Sequence, residues 1–323
     1  MNSELAELES ATRIVYDRLD PTPQMRWPLL EARFGCPVWL KHENHLPTGA
    51  FKVRGGLVYF HHLLSSGATP SVICATRGNH GQSVAFAARA AGVKALIVVP
   101  EGNNPDKNDA MKALGAELVI HGEDFIQSLN FAQDLAQSEG HHWVPSFHSH
   151  LVSGVGTYAL ELLRAAPDLQ RIYVPIGLGS GACGVLKAKT ALDHPVQVIG
   201  VVSSHAPTYL ESMIAGHPVM TDHANTLADG LAVRQASAEA LEPLRRGLSK
   251  VISVTDDELL DAMAILLSDT HNLVEGAGAA PLAAALRDQD SISPGDHIAL
   301  VISGGNVSAD ILQRVLDRSD RMG

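Results

Sequence analysis

From residue 72 to residue 146 short β-branched runs alternate with helix-length segments, and few folds accommodate that pattern. "VICATR" (72–77), "KALIVVP" (94–100), "AELVIHG" (116–122) and "HWVPS" (142–146) read as strands, with helices expected over 82–91, 106–114 and 124–137. Strands separated by helices of roughly 10–15 residues join as right-handed βαβ units in a parallel sheet. The runs are continuously apolar, as in strands covered on both faces. A second alternation follows residue 150. It predicts a helix over 157–164, the strand "RIYVPIG" (171–177), a helix from 182 and the strand "VQVIGVVS" (196–203). "VISVT" (251–255), helices over 257–271 and 277–286, "HIALVIS" (297–303) and a last helix complete it. An amphipathic helix over 4–18 and the strand "PVWLKHE" (37–43) precede both sets. Two such sets in 323 residues predict an α/β fold of two parallel-sheet lobes with a cleft between them. No repeat or linker separates the sets, so the lobes are expected to interweave. Residues 1–46 and 148–323 would form the larger lobe and 47–147 the smaller.

A formal net charge of −11 argues against nucleic acid or an anionic membrane as partner. The longest apolar stretches, such as "ALIVVP", fall far short of the roughly 20 residues that span a bilayer. The start "MNSELAELES" is acidic and polar, unlike a secretory signal. Cys36, Cys74 and Cys183 stand apart, which predicts neither a disulfide framework nor a cysteine zinc site. A cytoplasmic protein acting on a small molecule is expected. Histidines crowd "HHWVPSFHSH" (141–150), but Pro145 interrupts the run and strand alternation would splay the rings to opposite faces. No metal is expected there.

Four stretches carry candidate chemistry. "PTGAFKVRGG" (47–56) sets Lys52 between Phe51 and Val53. It reads either as a helix start with Thr48 as N-cap and the lysine in water, or as a desolvated amine with the lowered pKa a Schiff-base lysine needs. "PIGLGSGACG" (175–184) runs from a strand into a helix, where backbone N–H groups and the helix dipole bind phosphate. Gly179, Gly181 and Gly184 match GxGxxG, but a dinucleotide site also needs an acid after the next strand. That strand ends "VVSSH" (201–205), so the phosphate belongs to something other than NAD. "TRGNHGQSVAFAA" (76–88) is another strand-to-helix turn whose amides can hold a carboxylate, with Asn79 as a neutral hydrogen-bonding amide. "VISGGN" (301–306) ends a buried strand at Ser303 and a diglycine turn. In α/β sheets ligands bind beyond the carboxyl ends of strands, where these stretches lie.

Together the stretches resemble the fold-type II pyridoxal-phosphate enzymes, of the tryptophan synthase β-like architecture, over nearly the whole chain. The nearest resemblance is to the serine/threonine dehydratases and serine racemase. "KHENHLPTGAFKVRGG" (41–56) is similar to the cofactor-lysine segment and "RGNHGQS" (77–83) to the substrate-carboxylate loop. "GVGTYALEL" (154–162) resembles the GQGT-ALE helix and "GLGSGACG" (177–184) the phosphate loop. "VEGAGAA" (274–280) resembles the late glutamate motif, and "SGGN" (303–306) the cofactor-nitrogen motif.

The resemblance implies pyridoxal 5'-phosphate as cofactor, carried by Lys52, which then acts as base at the substrate Cα. It implies that Phe51 packs beside the ring and that Asn79 hydrogen-bonds the 3-oxygen. Gly177, Leu178, Gly179, Ser180 and Gly181 would cradle the phosphate, and Ser303 would face the pyridine nitrogen. Thr76, Gly78, Asn79 and His80 would receive the substrate carboxylate. A neutral Ser303 hydroxyl cannot keep the nitrogen protonated as an aspartate would, which favours rapid β-elimination. The implied activity is dehydration of a β-hydroxy-α-amino acid, threonine or serine above all, to a 2-keto acid and ammonia by a homodimer. Racemisation, or cofactor binding without catalysis, are the alternatives.

Three departures qualify this. Leu178 replaces a usual glycine of the phosphate loop. Val202, Ala206 and Thr208 occupy the stretch where racemase-like members hold a divalent cation through carboxylates, so no metal is carried over. Arg77 stands where relatives have serine or alanine, the serine being the racemase's acid/base on the far face of the substrate. Arginine does not deprotonate, which disfavours racemisation. It either turns to solvent or presents a cation to an acidic or aryl substituent, which keeps 3-phenylserine and 3-hydroxyaspartate among the candidate substrates. No regulatory domain follows residue 323, so feedback through an appended domain is not expected.

Overall fold

The computed structural model describes residues 3–67 and 71–322. Its strands are β1 (Gln24–Arg26), β2 (Val38–His42), β3 (Ser71–Ala75), β4 (Lys94–Val99) and β5 (Glu117–Ile120). There follow β6 (His142–Trp143), β7 (Arg171–Pro175), β8 (Gln197–Ser203), β9 (Lys250–Val254) and β10 (Ile298–Ile302). One sheet runs β1-β2-β10-β7-β8-β9 and the other β5-β4-β3-β6. All pairings are parallel except β1 with β2. The chain is thus an α/β protein in which the first strands and the last share a sheet. β10 is buried at every residue because strands flank it on both edges and helices cover both faces.

The expected βα alternation is present, with shifted helix starts. Helices begin at Asn79, Ser149 and Ser180 rather than near 82, 157 and 182. Gly154 and Gly156 are packing positions inside the helix Ser149–Ala165. A Cβ on Gly154 would run into the Arg54 carbonyl and come within 2.8 Å of the Gly55 Cα. The helix Lys52–Ser65 therefore lies backbone to backbone on Ser149–Ala165. Gly154→Ala is expected to cost about 1–3 kcal/mol through overpacking, read as a lower urea midpoint; an unchanged midpoint would show that the two helices separate freely.

Two expectations need correction. The strand over 142–146 shrinks to two residues, because Pro145 lacks the N–H that a longer ladder needs. The histidines of 141–150 are not splayed apart either. His150 stacks on His62 at 3.9 Å between ring centroids, and His148 lies 5.0 Å from His150 and 5.1 Å from Tyr59. His148 is the extended N-cap of the helix Ser149–Ala165, and His62 comes from the helix Lys52–Ser65, so the rings meet through the packing of two helices rather than along one strand. Among the described residues no group of His, Cys, Asp or Glu could hold a metal ion, and no helix is long and apolar enough to cross a membrane.

Candidate active site

Lys52 is the first residue of the helix Lys52–Ser65, and Thr48 is not its cap. Phe51 occupies the N-cap position without a side-chain bond, while the Thr48 hydroxyl donates to the Ala50 carbonyl. The segment is instead pinned to the end of β10. Phe51 N–H donates to the Ser303 carbonyl at 3.0 Å, Ala50 bridges Gly304, and Asn306 Nδ2 donates to the Thr48 carbonyl at 2.9 Å. Ser83 Oγ donates to the Lys52 carbonyl at 2.7 Å, bringing the helix Asn79–Ala91 alongside. The Lys52 amine stands 5.2 Å from the Phe51 ring centroid. Burial pushes its pKa from 10.5 to about 8, against the opposing pull of the Glu275 charge. At pH 7 that raises the neutral, nucleophilic fraction roughly 300-fold. Of the two sequence readings, the geometry fits the desolvated amine.

Two residues further on, Arg54 anchors this helix in an ionic cluster that is buried except for the edge of Glu161. Its Nε and Nη2 donate to Glu43 at 2.7 and 3.0 Å, and its Nη1 to Glu161 at 2.6 Å and Thr157 at 3.0 Å. Lys41 Nζ donates to Glu161 at 2.5 Å and to the Thr22 carbonyl. Two cations meet two anions, so the buried net charge is zero. Burial alone would lower the Arg54 pKa, yet Glu43 and Glu161 hold it above its ordinary value. Glu161 is held below its ordinary 4.5, because Arg54 and Lys41 outweigh its burial.

The loop 177–181 forms a cup at the N-terminus of the helix Ser180–Ala191. Gly179 is its N-cap, at φ 100°, a left-handed conformation that glycine adopts without strain. No side chain caps the helix, so its first amides lack intrahelical partners. A Cβ on Gly177 would overlap the Gly230 carbonyl, and one on Gly181 would touch the Phe51 ring at 3.5 Å. The cup therefore opens beside the Lys52 segment. Leu178 contributes its carbonyl, which accepts from Tyr209 Oη at 2.7 Å. Gly184, third glycine of the GxGxxG match, packs on Gly156 of a neighbouring helix, a structural use that needs no nucleotide.

Asn79 sits at the start of the helix Asn79–Ala91, held from both sides. Its Nδ2 donates to Glu275 Oε1 and its Oδ1 accepts from Asn306 Nδ2, both at 2.8 Å. Burial raises the Glu275 pKa to about 7, partly offset by Lys107 and by the bond from Asn79. Sequence reasoning noticed the glutamate motif but gave Glu275 no role, since its contact with Asn79 spans 196 residues of chain. Thr76 Oγ1 accepts from the amides of Gly78 and Gly81 at 3.0 and 3.2 Å, so that hydroxyl shapes the loop. His80 is buried, and burial followed by the Lys52 charge pushes its pKa down to about 3. Its ring bonds the Val144 backbone, while Nε2 has no partner among the described residues. Ser303, 3% exposed, follows β10, and its carbonyl accepts from Phe51 N–H next to Lys52.

Arg77 is neither buried nor free. It is half exposed and lies 3.5 Å from Asp229, whose other oxygen takes Lys107 Nζ at 2.6 Å.

Residues 15–304 match the family model for pyridoxal-phosphate dependent enzymes. The chain is 34% identical over 309 residues to the biosynthetic L-threonine dehydratase of Salmonella typhimurium, covering 95% of this chain and 60% of that protein. It is 36% identical over 287 residues to an L-threonine ammonia-lyase of Geobacter sulfurreducens, covering 88% and 71%. Maize serine racemase superposes with a TM-score of 0.90 at 27% identity, covering 98% of both chains. The site fits the family's cofactor on its own terms. A glycine-lined helix start with free amides suits a phosphate, a desolvated lysine suits an aldehyde, and Asn79, fixed by Glu275 and Asn306, is a preset polar contact. The chain belongs to the pyridoxal-phosphate-dependent enzymes, in their fold-type II architecture.

Proposed function

We propose that this protein dehydrates β-hydroxy-α-amino acids, threonine and serine foremost, to a 2-keto acid and ammonia. The observation that carries the reading is the convergence of the desolvated Lys52 amine, the uncapped glycine cup and the Asn79–Glu275 pair at one cleft. The dehydratase and ammonia-lyase relatives support it. Bound pyridoxal phosphate supplies an electron sink that acidifies the substrate's Cα–H. The protein supplies the rest. Lys52, whose neutral fraction desolvation raises, takes the Cα proton. Gly177–Gly181 hold the phosphate and Phe51 walls the ring. Ser303 offers the ring nitrogen a neutral hydroxyl, which does not keep it protonated and so favours elimination. The substrate carboxylate is received by the loop 76–80. There Thr76 already occupies the Gly78 and Gly81 amides, which leaves those of Asn79 and His80 at the helix start. The His80 ring is neutral with a bare acceptor nitrogen, so its backbone rather than its imidazole does the binding. The lobes, 1–46 with 148–323 and 47–147, enclose the substrate from two sides.

The serine racemase neighbour favours a second reading, racemisation. Arg77 opposes it, since a guanidinium cannot return a proton to the far face of Cα. We assign Arg77 to substrate selection: a half-exposed cation, held loosely at 3.5 Å by Asp229, attracts an acidic or aryl β-substituent. A panel of serine, threonine, 3-phenylserine and 3-hydroxyaspartate assayed for keto acid tests both points. Arg77→Ser is expected to lower the preference for the last two over threonine by on the order of tenfold in kcat/KM, about 1.4 kcal/mol. Identical ratios in wild type and variant would return Arg77 to a solvent role.

A further inference from the structure

The Lys107–Asp229 ion pair joins the two sides of the cleft, and dehydration chemistry alone gives it no task. Lys107 lies in the helix Pro105–Ala113, where the Asn104 cap fixes its backbone by accepting from Lys107 N–H at 3.1 Å. Its stem lies on the substrate loop, for a Cβ on Gly78 would meet Lys107 Cδ at 2.7 Å. Asp229 precedes Gly230, whose carbonyl packs against Gly177 of the phosphate cup. This 2.6 Å contact, with that of Arg77 at 3.5 Å, ties the loop bearing Asn79 to the cup through Asp229. The pair also borders a cavity of about 40 Å³ lined by Asn104, Lys107, Asp229, Glu275, Asn306 and Ser308. That is room for little more than one or two waters, too small for a substrate.

We propose that Lys107 is a positioning residue: paired with Asp229, it locks the substrate loop to the phosphate cup and sets the electrostatic field at the Glu275 carboxyl that holds Asn79. The charged groups facing Glu275 are Lys52, Lys107 and Asp229, with the Asn79 amide and the Asn306 backbone as neutral donors. Lys107 favours the ionised carboxylate and Asp229 disfavours it. An ionised Glu275 in turn keeps Lys52 more protonated, so the pair acts on the reacting amine through one intermediary. Arg77 Nη2 stands 3.5 Å from the Asp229 oxygen that Lys107 leaves free.

The pair's opposite signs provide the test, which needs no turnover and is therefore separate from the dehydratase reading. In the holoenzyme, the infrared carbonyl stretch of protonated Glu275, assigned by its loss in Glu275→Gln, is followed against pH. Lys107→Met removes a cation and is expected to move the midpoint up by roughly one unit, whereas Asp229→Asn removes an anion and moves it down. The double variant should lie between them. In parallel, amide exchange over 76–81 and 177–181 should quicken in Lys107→Met, and the double variant should go no further than Asp229→Asn, which gives up the contacts of both Lys107 and Arg77. Midpoints that stay put or shift in the same direction would overturn the proposal. So would exchange losses that multiply in the double variant.

Discussion

Lys52→Ala is expected to abolish turnover, a loss on the order of 10⁴-fold or more, while leaving the protein folded. Lys52 is assigned two tasks, holding the cofactor's aldehyde carbon and taking the Cα proton, and general-base action alone is worth about 10²–10⁴-fold. The fold owes little to the amine. Its described surroundings are the Phe51 ring, the His80 ring and the field of Glu275, whereas the helix is held by Phe51 N–H on Ser303 and by Ser83 on the Lys52 carbonyl. Those bonds are backbone contacts and survive the substitution. Thermal unfolding should therefore change by no more than about 1 kcal/mol. Borohydride treatment of the wild type should fix the cofactor on the peptide containing Lys52, and a label on any other lysine would remove the assignment.

Arg54→Met should produce the largest stability loss. Removing the guanidinium leaves Glu43 and Glu161 facing Lys41 alone, in a place where Arg54 and Glu43 are fully buried. Stripping one partner from a buried ionic cluster costs about 3–5 kcal/mol, because a charge remains without compensation. The variant should also hold its cofactor more weakly, since Arg54 fixes the first turn that presents Lys52. Arg54→Lys keeps the charge but not the two-pronged contact with Glu43, and should fall between. The pH dependence carries its own sign. Glu161 is held below its ordinary 4.5, so its contribution is present above pH 4.5 and is lost as the pH falls. Without Arg54 its pKa rises, and the decline of stability below pH 4.5 becomes shallower. A urea midpoint unchanged in Arg54→Met would mean that the cluster does not anchor the helix.

The βα alternation was legible because buried parallel strands are continuous apolar runs: "IALVI" and "KALIVV" announce themselves without neighbours. The helices Pro28–Phe34 and Ala238–Gly247 carry no such signal in the sequence. Both contain prolines that read as breakers, yet Pro28 sits in the first turn, where its missing N–H is no loss. The sequence places several helix starts late for a related reason. Glycines at 154 and 181 resemble turn residues until the neighbouring helix or ring that requires them is known. In the site, Lys52, Asn79, Ser303 and the cup belong to short contiguous motifs and could be found in the sequence. Glu275, Asp229 and Lys107 could not be given roles, because their contacts join segments 122 to 196 residues apart. Arg77 was visible as a departure, but its pairing with Asp229 was not.

The decisive measurement is the fate of L-threonine and L-serine incubated with the purified protein and pyridoxal phosphate. Dehydration yields keto acid and ammonia in equal amounts, and the amino acid that remains stays entirely L. Appearance of the D-enantiomer without ammonia would make the protein a racemase despite Arg77, and no change in either substrate or in the hydroxy-amino-acid panel would leave it a cofactor-binding protein without this activity.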